Sequence, residues 1–222
     1  MQIIEAIKNI DFFKDLNEKD ISKLVDISDI NEFTKGTIIS YEDERNNSLQ
    51  FLISGRVKIY KIDKKDNEIY LYNVYENSMI SQITSIEEDY IHCFSNAQCI
   101  EHSVILRINY IEFIRLFINT NILTTNLLKQ VMFHNKKLHF IINRELVFDS
   151  IAKVAYLISN ELEVFNKLKR KEIAFKLHIQ AETLSRVINK LRDSNIISLD
   201  KSHKISIIDK QSLDNYFYGI AK

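Results

Sequence analysis

Two consecutive amphipathic helices within residues 169–198 constrain the fold of this chain more than any other feature. Apolar side chains recur in them at three- and four-residue steps: Ile173, Ala174, Leu177, Leu184, Val187, Ile188 and Leu191. The second helix presents polar groups on its opposite face: Glu182, Thr183, Ser185, Arg186 and Asn189. An ordinary helical hairpin with a solvated face has the same spacing. A basic lead-in favours a helix-turn-helix, whose second helix enters a DNA major groove.

The charge of the chain is divided between its halves. Residues 1–110 contain 12 Lys and Arg against 19 Asp and Glu, and residues 111–222 contain 18 against 11, so the net charge of zero hides two opposite blocks. A basic half that holds the helical pair is the electrostatic pattern of a module that binds phosphates. We therefore expect the second half to bind double-stranded DNA and the acidic half to receive a signal.

Composition limits the class of protein. With 222 residues, 45% hydrophobic and 27% charged, the chain has the size and composition of a soluble protein of two modest domains. We find no signal peptide and no apolar run long enough for a membrane span, and we expect a cytoplasmic protein. Two cysteines, Cys93 and Cys99, do not make a disulfide framework. Phosphate-loop, nucleophile-elbow and zinc-ligand spacings are absent, so neither an enzyme nor a metal site is predicted.

Short β-rich runs dominate residues 31–107. They predict strands at Thr37–Tyr41, Leu49–Ile53, Val57–Ile62, Ile69–Val74 and Val104–Ile108. Turn dipeptides at Gly36 and Gly55 separate them, and a glycine at such a turn suits a positive φ. Repeated short strands of this kind indicate a sandwich or a jelly roll.

A continuous helix is predicted from Asn109 to about Asn143. Its three- and four-residue steps form a heptad seam: Ile114, Phe117, Asn121, Thr124, Leu128, Val131, Asn135, Leu138 and Ile142. An apolar stripe can also pack on its own domain. The predicted helix is longer than one small roll covers, so we interpret the seam as the interface of a parallel homodimer.

The segment KEIAFKLHIQAETLSRVINKLRDSNIIS resembles the DNA-binding segment of the Crp/Fnr family, and FTKGTIISYEDERNNSLQFLISGRVKIYKID resembles that family's cyclic-nucleotide-binding β-roll. The resemblance implies an α+β fold. It comprises an N-terminal β-roll (jelly roll) at 1–108, a dimerisation helix at 109–143 and a C-terminal winged helix-turn-helix at 144–222. Residues 196–208 are predicted to form the wing and residues 143–149 a hinge.

Glu182, Ser185 and Arg186 are the candidate base-reading residues. Arg186 can donate two hydrogen bonds to guanine, and Glu182 can accept one from cytosine N4. The resemblance, with Ala181 where the catabolite activator has arginine, implies a TTGAT-like half-site. A surface ion pair between Glu182 and Arg186 is the alternative. We expect phosphate contacts from surrounding polar and basic side chains: Lys169, Arg170, Lys171, Thr183, Lys190, Lys201 and Lys204.

The sensory segment NSMISQITSIEEDYIHCFSNAQ departs from the family pattern. Ser81 and Gln82 replace a glycine and a glutamate, and no Lys or Arg stands between Lys65 and Arg107. A buried cyclic phosphate needs a compensating cation, so we expect cyclic AMP not to bind. The candidate effector pocket comprises Gln82, His92, Cys93, Leu138 and His139.

The sequence leaves the effector open. The alternatives are haem bound through a His or Cys, a thiol switch at Cys93 or Cys99, an unrecognised apolar ligand in the roll, or no effector at all. The N-terminal cysteine cluster that an iron–sulfur centre needs is absent. The expected function is a homodimeric transcriptional regulator with DNA and RNA polymerase as partners. The rival is a ligand-binding module that has lost DNA binding.

Overall fold

The computed structural model describes residues 3–218, so the outermost residues of the two predicted end domains lie outside it. The chain forms two compact units, the first ending at Lys137 and the second beginning at Leu138. Each unit has a hydrophobic core of its own. None of the described helices combines the length and the apolar character that crossing a membrane requires.

The first unit is built around antiparallel strands. They are β1 (Ser28–Phe33), β2 (Ile38–Ser40), β3 (Arg45–Asn46), β4 (Ser48–Ser54), β5 (Val57–Ile62), β6 (Glu68–Val74), β7 (Ser78–Met79), β8 (Ile91–His92), β9 (Asn96–Cys99) and β10 (Ser103–Asn109). Two four-stranded sheets have the orders β1-β10-β4-β7 and β2-β9-β5-β6, and β3 pairs with β8. All five predicted strands are present, and the roll architecture is confirmed.

Two glycines hold turns of the roll, as predicted. Gly36 has a φ of +92° and Gly55 a φ of +96°, values that a residue with a Cβ adopts only at a cost. At Gly55 a Cβ would also stand 2.4 Å from the carbonyl oxygen of His102. The β4–β5 turn therefore requires glycine for two independent reasons.

Two short helices and a turn cover one end of the roll. They are α1 (Ile3–Asn9), a 3₁₀ turn (Asp11–Phe13) and α2 (Glu18–Asp26). Asn17 caps α2, since its Oδ1 accepts from the Asp20 amide at 3.0 Å. Phe13 packs on Phe51 of β4 with ring centroids 4.8 Å apart, which ties this cover to the main core.

The continuous helix predicted from Asn109 is wrong. The structure has a helix α3 (Tyr110–Phe113) that continues as a π-helix (Ile114–Ile118), and after a break a separate helix α4 (Thr124–Ile142). At the break Asn121 has a φ of +62°. Asparagine tolerates this left-handed conformation better than most residues, and it ends helices for that reason.

The break also corrects the first part of the seam. Ile114 and Phe117 are buried in the core of the first unit, and Asn121 lies in the exposed turn. These three residues therefore serve their own unit and do not continue the stripe. Leu128, Val131 and Leu138 lie on α4 and are exposed by 57%, 43% and 52%.

The second unit is mostly helical. A π-helix (Asn143–Val147) is followed by α5 (Ser150–Asn160), α6 (Leu162–Lys167), α7 (Arg170–Lys176), α8 (Ala181–Asp193), β11 (Ile197–Leu199), β12 (Ile205–Ile207) and α9 (Lys210–Tyr218). The side chain of Asp149 caps α5 by accepting from the amides of Ile151 and Ala152. Strands β11 and β12 pair antiparallel where the wing was predicted.

Candidate nucleic-acid interface

The paired helices α7 and α8 have the geometry that their sequence predicts. All seven apolar residues of the two stripes are buried in the core of the second unit. His178, with a φ of +51°, lies in the turn between the helices. Because the apolar face of α8 is fixed against the core, its opposite face is held outward along its length.

The outward face of α8 carries the predicted base-reading residues together. Glu182, Ser185 and Arg186 are exposed, and their spacing places them on one side of the helix. Ser185 Oγ donates to the carbonyl of Ala181 at 3.0 Å, and Arg186 Nη2 donates to Thr183 Oγ1 at 3.3 Å. Among the described residues no ion pair joins Arg186 to Glu182, so the structure does not show the surface pair considered as the alternative.

All five of the predicted phosphate-binding lysines are exposed. They are Lys169, Lys171 and Lys190 on and beside the two helices, and Lys201 and Lys204 at the wing. A contact to a DNA backbone phosphate needs a positive charge on a side chain that is long and open to solvent. All five cations belong to the second unit and are open to solvent.

Arg170 and Lys176 have structural partners. The guanidinium of Arg170 lies over the ring of Phe165, 5.3 Å from its centroid, and donates to the carbonyl of His203 at 3.2 Å. Burial lowers the pKa of Arg170. Lys176 is buried and bonds Glu161. Arg170 therefore fastens the wing to α7, a role that the sequence analysis missed.

The wing turn is fixed by one carboxylate. Asp200 Oδ1 accepts from the amides of Ser202 and Lys204 at 2.7 and 2.9 Å, and His203 has a φ of +60°. The turn therefore holds Lys201 and Lys204 at the tip of a rigid hairpin.

A series of polar contacts that starts at the buried Arg144 joins the predicted hinge to the helix-turn-helix. Arg144, 1% exposed, donates to Glu145 Oε1 at 2.6 Å, and Glu145 Oε2 lies 3.0 Å from His178 Nδ1. Burial opposes ionisation of Glu145, but the hydrogen bonds from His178 and Arg144 outweigh it and lower its pKa. The segment 143–147 is therefore bonded to the turn that positions α8. The sequence does not reveal these contacts, because Glu145 and His178 are 33 residues apart.

Comparison with known proteins bears on both units. The family model of the cyclic nucleotide-binding domain matches residues 30–120, and the model of the Crp-like helix-turn-helix domain matches residues 153–216. Together they span more than two thirds of the chain. The chain belongs to the Crp/Fnr family.

Solved structures agree in fold. A CooA mutant from Carboxydothermus hydrogenoformans has a TM-score of 0.68 at 19% identity, covering 86% of this chain and 88% of its own. A putative Crp/Fnr-family regulator from Eubacterium rectale has 0.64 at 17%, covering 94% and 98%. FixK2 from Bradyrhizobium japonicum has 0.62 at 16%, covering 86% and 97%. Comparison with curated proteins finds no match.

Membership makes this Crp/Fnr chain a transcriptional regulator with a cyclic-nucleotide-binding-like domain and a DNA-binding helix-turn-helix. The family consists of regulators and not of enzymes. No cluster of potential metal ligands occurs among the described residues.

The cyclic-nucleotide-binding-like domain of this Crp/Fnr chain contains a small cavity. Gln82, His92 and Cys93 line it together, whereas Leu138 and His139 are exposed on α4 and are not among its lining residues. Its volume is about 30 Å³, which is about the share of one water molecule in the liquid. Gln82 is held by a 2.5 Å hydrogen bond to the hydroxyl of Tyr72.

The two thiols of this Crp/Fnr chain lie in the same domain and are poor nucleophiles. Burial raises the pKa of Cys93 and of Cys99, and hydrogen bonds from Ser40 and Ser103 only partly oppose it. A reactive cysteine needs a lowered pKa. The structure therefore gives no support to a thiol switch.

Proposed function

We propose that this regulator acts as a homodimer that binds a palindromic TTGAT-like DNA site under the control of a signal received by the β-roll. The observation that carries the proposal is the exposed face of α8. There Glu182, Ser185 and Arg186 lie together, and the same unit carries five exposed lysines among the predicted phosphate contacts. RNA polymerase is the expected second partner of a protein bound in this way.

The exposed row on α4 supports the homodimer. Leu128, Val131, Leu138 and Ile142 follow one another at three-, seven- and four-residue steps, and each is at least 43% exposed. Asn135 occupies the missing position of this heptad pattern. Apolar side chains exposed in such a row indicate an interface, and a second copy of the same helix matches its spacing.

The TTGAT-like half-site is what the resemblance of α8 to the Crp/Fnr recognition helix implies, and the residues exposed on α8 are compatible with it. Arg186 suits guanine and Glu182 suits cytosine N4 within one recognition helix. Both side chains are exposed, which supports their use in reading bases. Ala181 stands where the catabolite activator has arginine, which argues against that activator's half-site. A homodimer places two such helices on a palindrome about 34 Å apart.

The mechanism we infer is a population shift. A signal that changes the packing of the two α4 helices in the dimer alters the segment 143–147. Contacts among Arg144, Glu145 and His178 connect this segment to the turn of the helix-turn-helix. The two recognition helices then take or lose the spacing of one helical turn of DNA.

The small cavity of the roll supports the expectation that cyclic AMP is not the signal. Its lining contains no Lys or Arg, and its volume of about 30 Å³ is about one tenth of the smallest usual ligand pocket. The same size argues against haem at His92 or Cys93.

Fluorescence anisotropy with labelled duplexes tests the proposed site. We expect the purified chain to bind a TTGAT-N4-ATCAA duplex at least about a thousandfold more tightly than a scrambled duplex at physiological salt. The titration is repeated with cyclic AMP, which we expect to leave both affinities unchanged.

Equal affinity for the two duplexes would contradict the recognition assignment. A duplex with one half-site scrambled is the matched control for the dimer, because a monomeric reader would bind it as tightly as the palindrome. A gain in affinity with cyclic AMP would contradict the argument from the roll cavity.

A further inference from the structure

The first unit contains a second and larger cavity. It has a volume of about 230 Å³ and lies among the 3₁₀ turn at Asp11–Phe13, β4, β7 and the first four turns of α4. It shares no lining residue with the small cavity of the roll. An engineered protein cavity of about 150 Å³ accommodates benzene, so this space is large enough for a small aromatic molecule.

The floor of this cavity is apolar. Phe51 and Met79 are buried there at 1% and 3% exposure, and Phe12 packs on Phe51 with ring centroids 5.3 Å apart. Phe133 of α4 adds a wall and is half exposed. An aromatic or short aliphatic group placed here would cover part of the exposed Phe133 surface.

The rim of the cavity is cationic. Lys14, Lys129 and Lys137 line it, against one acidic residue, Asp11. Lys14 and Lys129 are exposed and form no ion pair among the described residues, and Lys137 lies over the ring of Phe133 at 4.5 Å. Lys14 comes from the acidic half of the chain, and Lys129 and Lys137 come from the basic half. A carboxylate entering the cavity gains charge-assisted hydrogen bonds that a neutral molecule of the same shape does not.

The α4 residues that line the cavity lie opposite the row that we assign to the dimer. At 100° per residue, one face of the helix carries Asn126, Lys129, Gln130, Phe133 and Lys137, and the face about 160° away carries Leu128, Val131, Leu138 and Ile142. A ligand in the cavity therefore contacts the face of α4 opposite the proposed dimer interface.

We propose that this cavity binds a small organic anion with an apolar body, a carboxylate of about the size of benzoate or naphthoate. Its carboxylate is held by Lys14 and Lys129, and its body lies on Phe51, Met79 and Phe133. Its regulatory consequence, a shift of α4 that changes DNA affinity, rests on the proposed function above. The binding itself does not.

Methionine-methyl NMR of the full chain tests the site directly with 2-naphthoate as the probe. The chain has three methionines, and Met79 lies on the cavity floor whereas Met132 is 60% exposed on α4 and does not line the cavity. We expect a saturable shift of the Met79 methyl resonance, assigned with Met79→Leu, because the ring current of the probe acts at short range. Saturable binding that leaves the Met79 resonance in place would overturn the assignment of the site, as would the absence of saturable binding.

Charge and variant controls test the lysines. We expect the neutral 2-naphthamide, and the acid with a Lys14→Gln/Lys129→Gln variant, to bind at least about tenfold more weakly. Lys136→Gln is the matched control, since Lys136 is an exposed α4 lysine outside the cavity lining, and it should leave the affinity unchanged. Equal binding of acid and amide, or an equal loss in Lys136→Gln, would overturn the proposed recognition of an anion.

DNA affinity measured with and without 2-naphthoate separates the two proposals. We expect a change of at least about threefold in wild type and none in the double lysine variant, since allosteric coupling typically reaches fivefold or more. A shift of the Met79 methyl resonance without any change in DNA affinity would support the binding site and contradict its regulatory role. Loss of sequence-specific DNA binding with and without the probe would contradict the proposed function and leave the NMR result standing.

Discussion

Arg186 and Lys190 lie one turn apart on the exposed side of α8, yet we expect their replacement to change DNA binding in different ways. Arg186→Ala removes a base contact and should cost about 1–3 kcal/mol on the TTGAT duplex, with much less loss on a scrambled one. Lys190→Ala removes a phosphate contact and should weaken both duplexes alike, with a salt slope lower by about one. Anisotropy titrations at several salt concentrations measure both effects.

The pattern across duplexes distinguishes the two roles. If Arg186→Ala weakened the scrambled duplex as much as the palindrome, Arg186 would be a phosphate contact. A conservative Arg186→Lys variant is the matched control, because it keeps the charge but not the two parallel donors.

His134 on α4 gives the chain a stability that depends on pH. Burial, with a smaller effect from Lys137, lowers its pKa to about 4. Between the ordinary pKa of 6.5 and this value, the unfolded chain takes up a proton that the folded chain does not. This contribution to the free energy of unfolding is fully present above pH 6.5 and is lost as the pH falls towards 4. The loss is about 3 kcal/mol at most.

Urea unfolding at fixed protein concentration and at a series of pH values tests this effect. We expect His134→Gln to reduce the loss of unfolding free energy between pH 7 and pH 4.5, because glutamine does not titrate. His139→Gln, at an exposed position on the same helix, is the matched control. An unchanged pH dependence in His134→Gln would contradict the assignment.

At the scale of elements, Asn121 separates α3 and its π-helical extension from α4. An alanine in the left-handed conformation costs about 1–2 kcal/mol, whereas glycine adopts it freely. We therefore expect Asn121→Ala to lower the free energy of unfolding by about that amount and Asn121→Gly to leave it nearly unchanged. Chemical denaturation of the two variants measures the difference, and equal stability of both would indicate a continuous helix.

Elements with a strong local pattern were predictable from the sequence, and short ones were not. The strand β5 (Val57–Ile62) matches its prediction at both ends, and both α7 and α8 lie within the predicted range of residues 169–198. Strands β3, β7 and β8 contain two residues each, too few to show an alternation. The break at Asn121 was missed because its neighbours keep the three- and four-residue steps on both sides.

The candidate DNA contacts depended on one helix face and were therefore predictable, whereas the candidate effector residues depended on tertiary packing. Gln82 and His92 do meet in one cavity, but nothing in their spacing reveals that it is small. The larger cavity joins residues as far apart as Phe12 and Lys137. No local pattern connects such residues, so the fold had to be known first.

At the scale of the whole molecule, the proposed homodimer is tested by a charge on the α4 row. Leu138→Glu places a carboxylate in the expected interface, where its burial is costly, and should convert the dimer to a monomer. Ile62→Glu is the matched control, since Ile62 of β5 is equally exposed at 52% and lies outside that row. Analytical ultracentrifugation measures the mass, and a dimer that survives Leu138→Glu would place the interface elsewhere.

The β4–β5 turn has a consequence for genetics. A loss-of-function screen should recover replacements of Gly55, and a search for second-site suppressors should fail at its neighbours. Shortening Ser103 removes its hydroxyl from the path of a new Cβ, but the nearest obstacle is the carbonyl oxygen of His102, which every amino acid carries. We therefore expect function to return only when glycine is restored at residue 55, and not through second substitutions at residues 102 and 103.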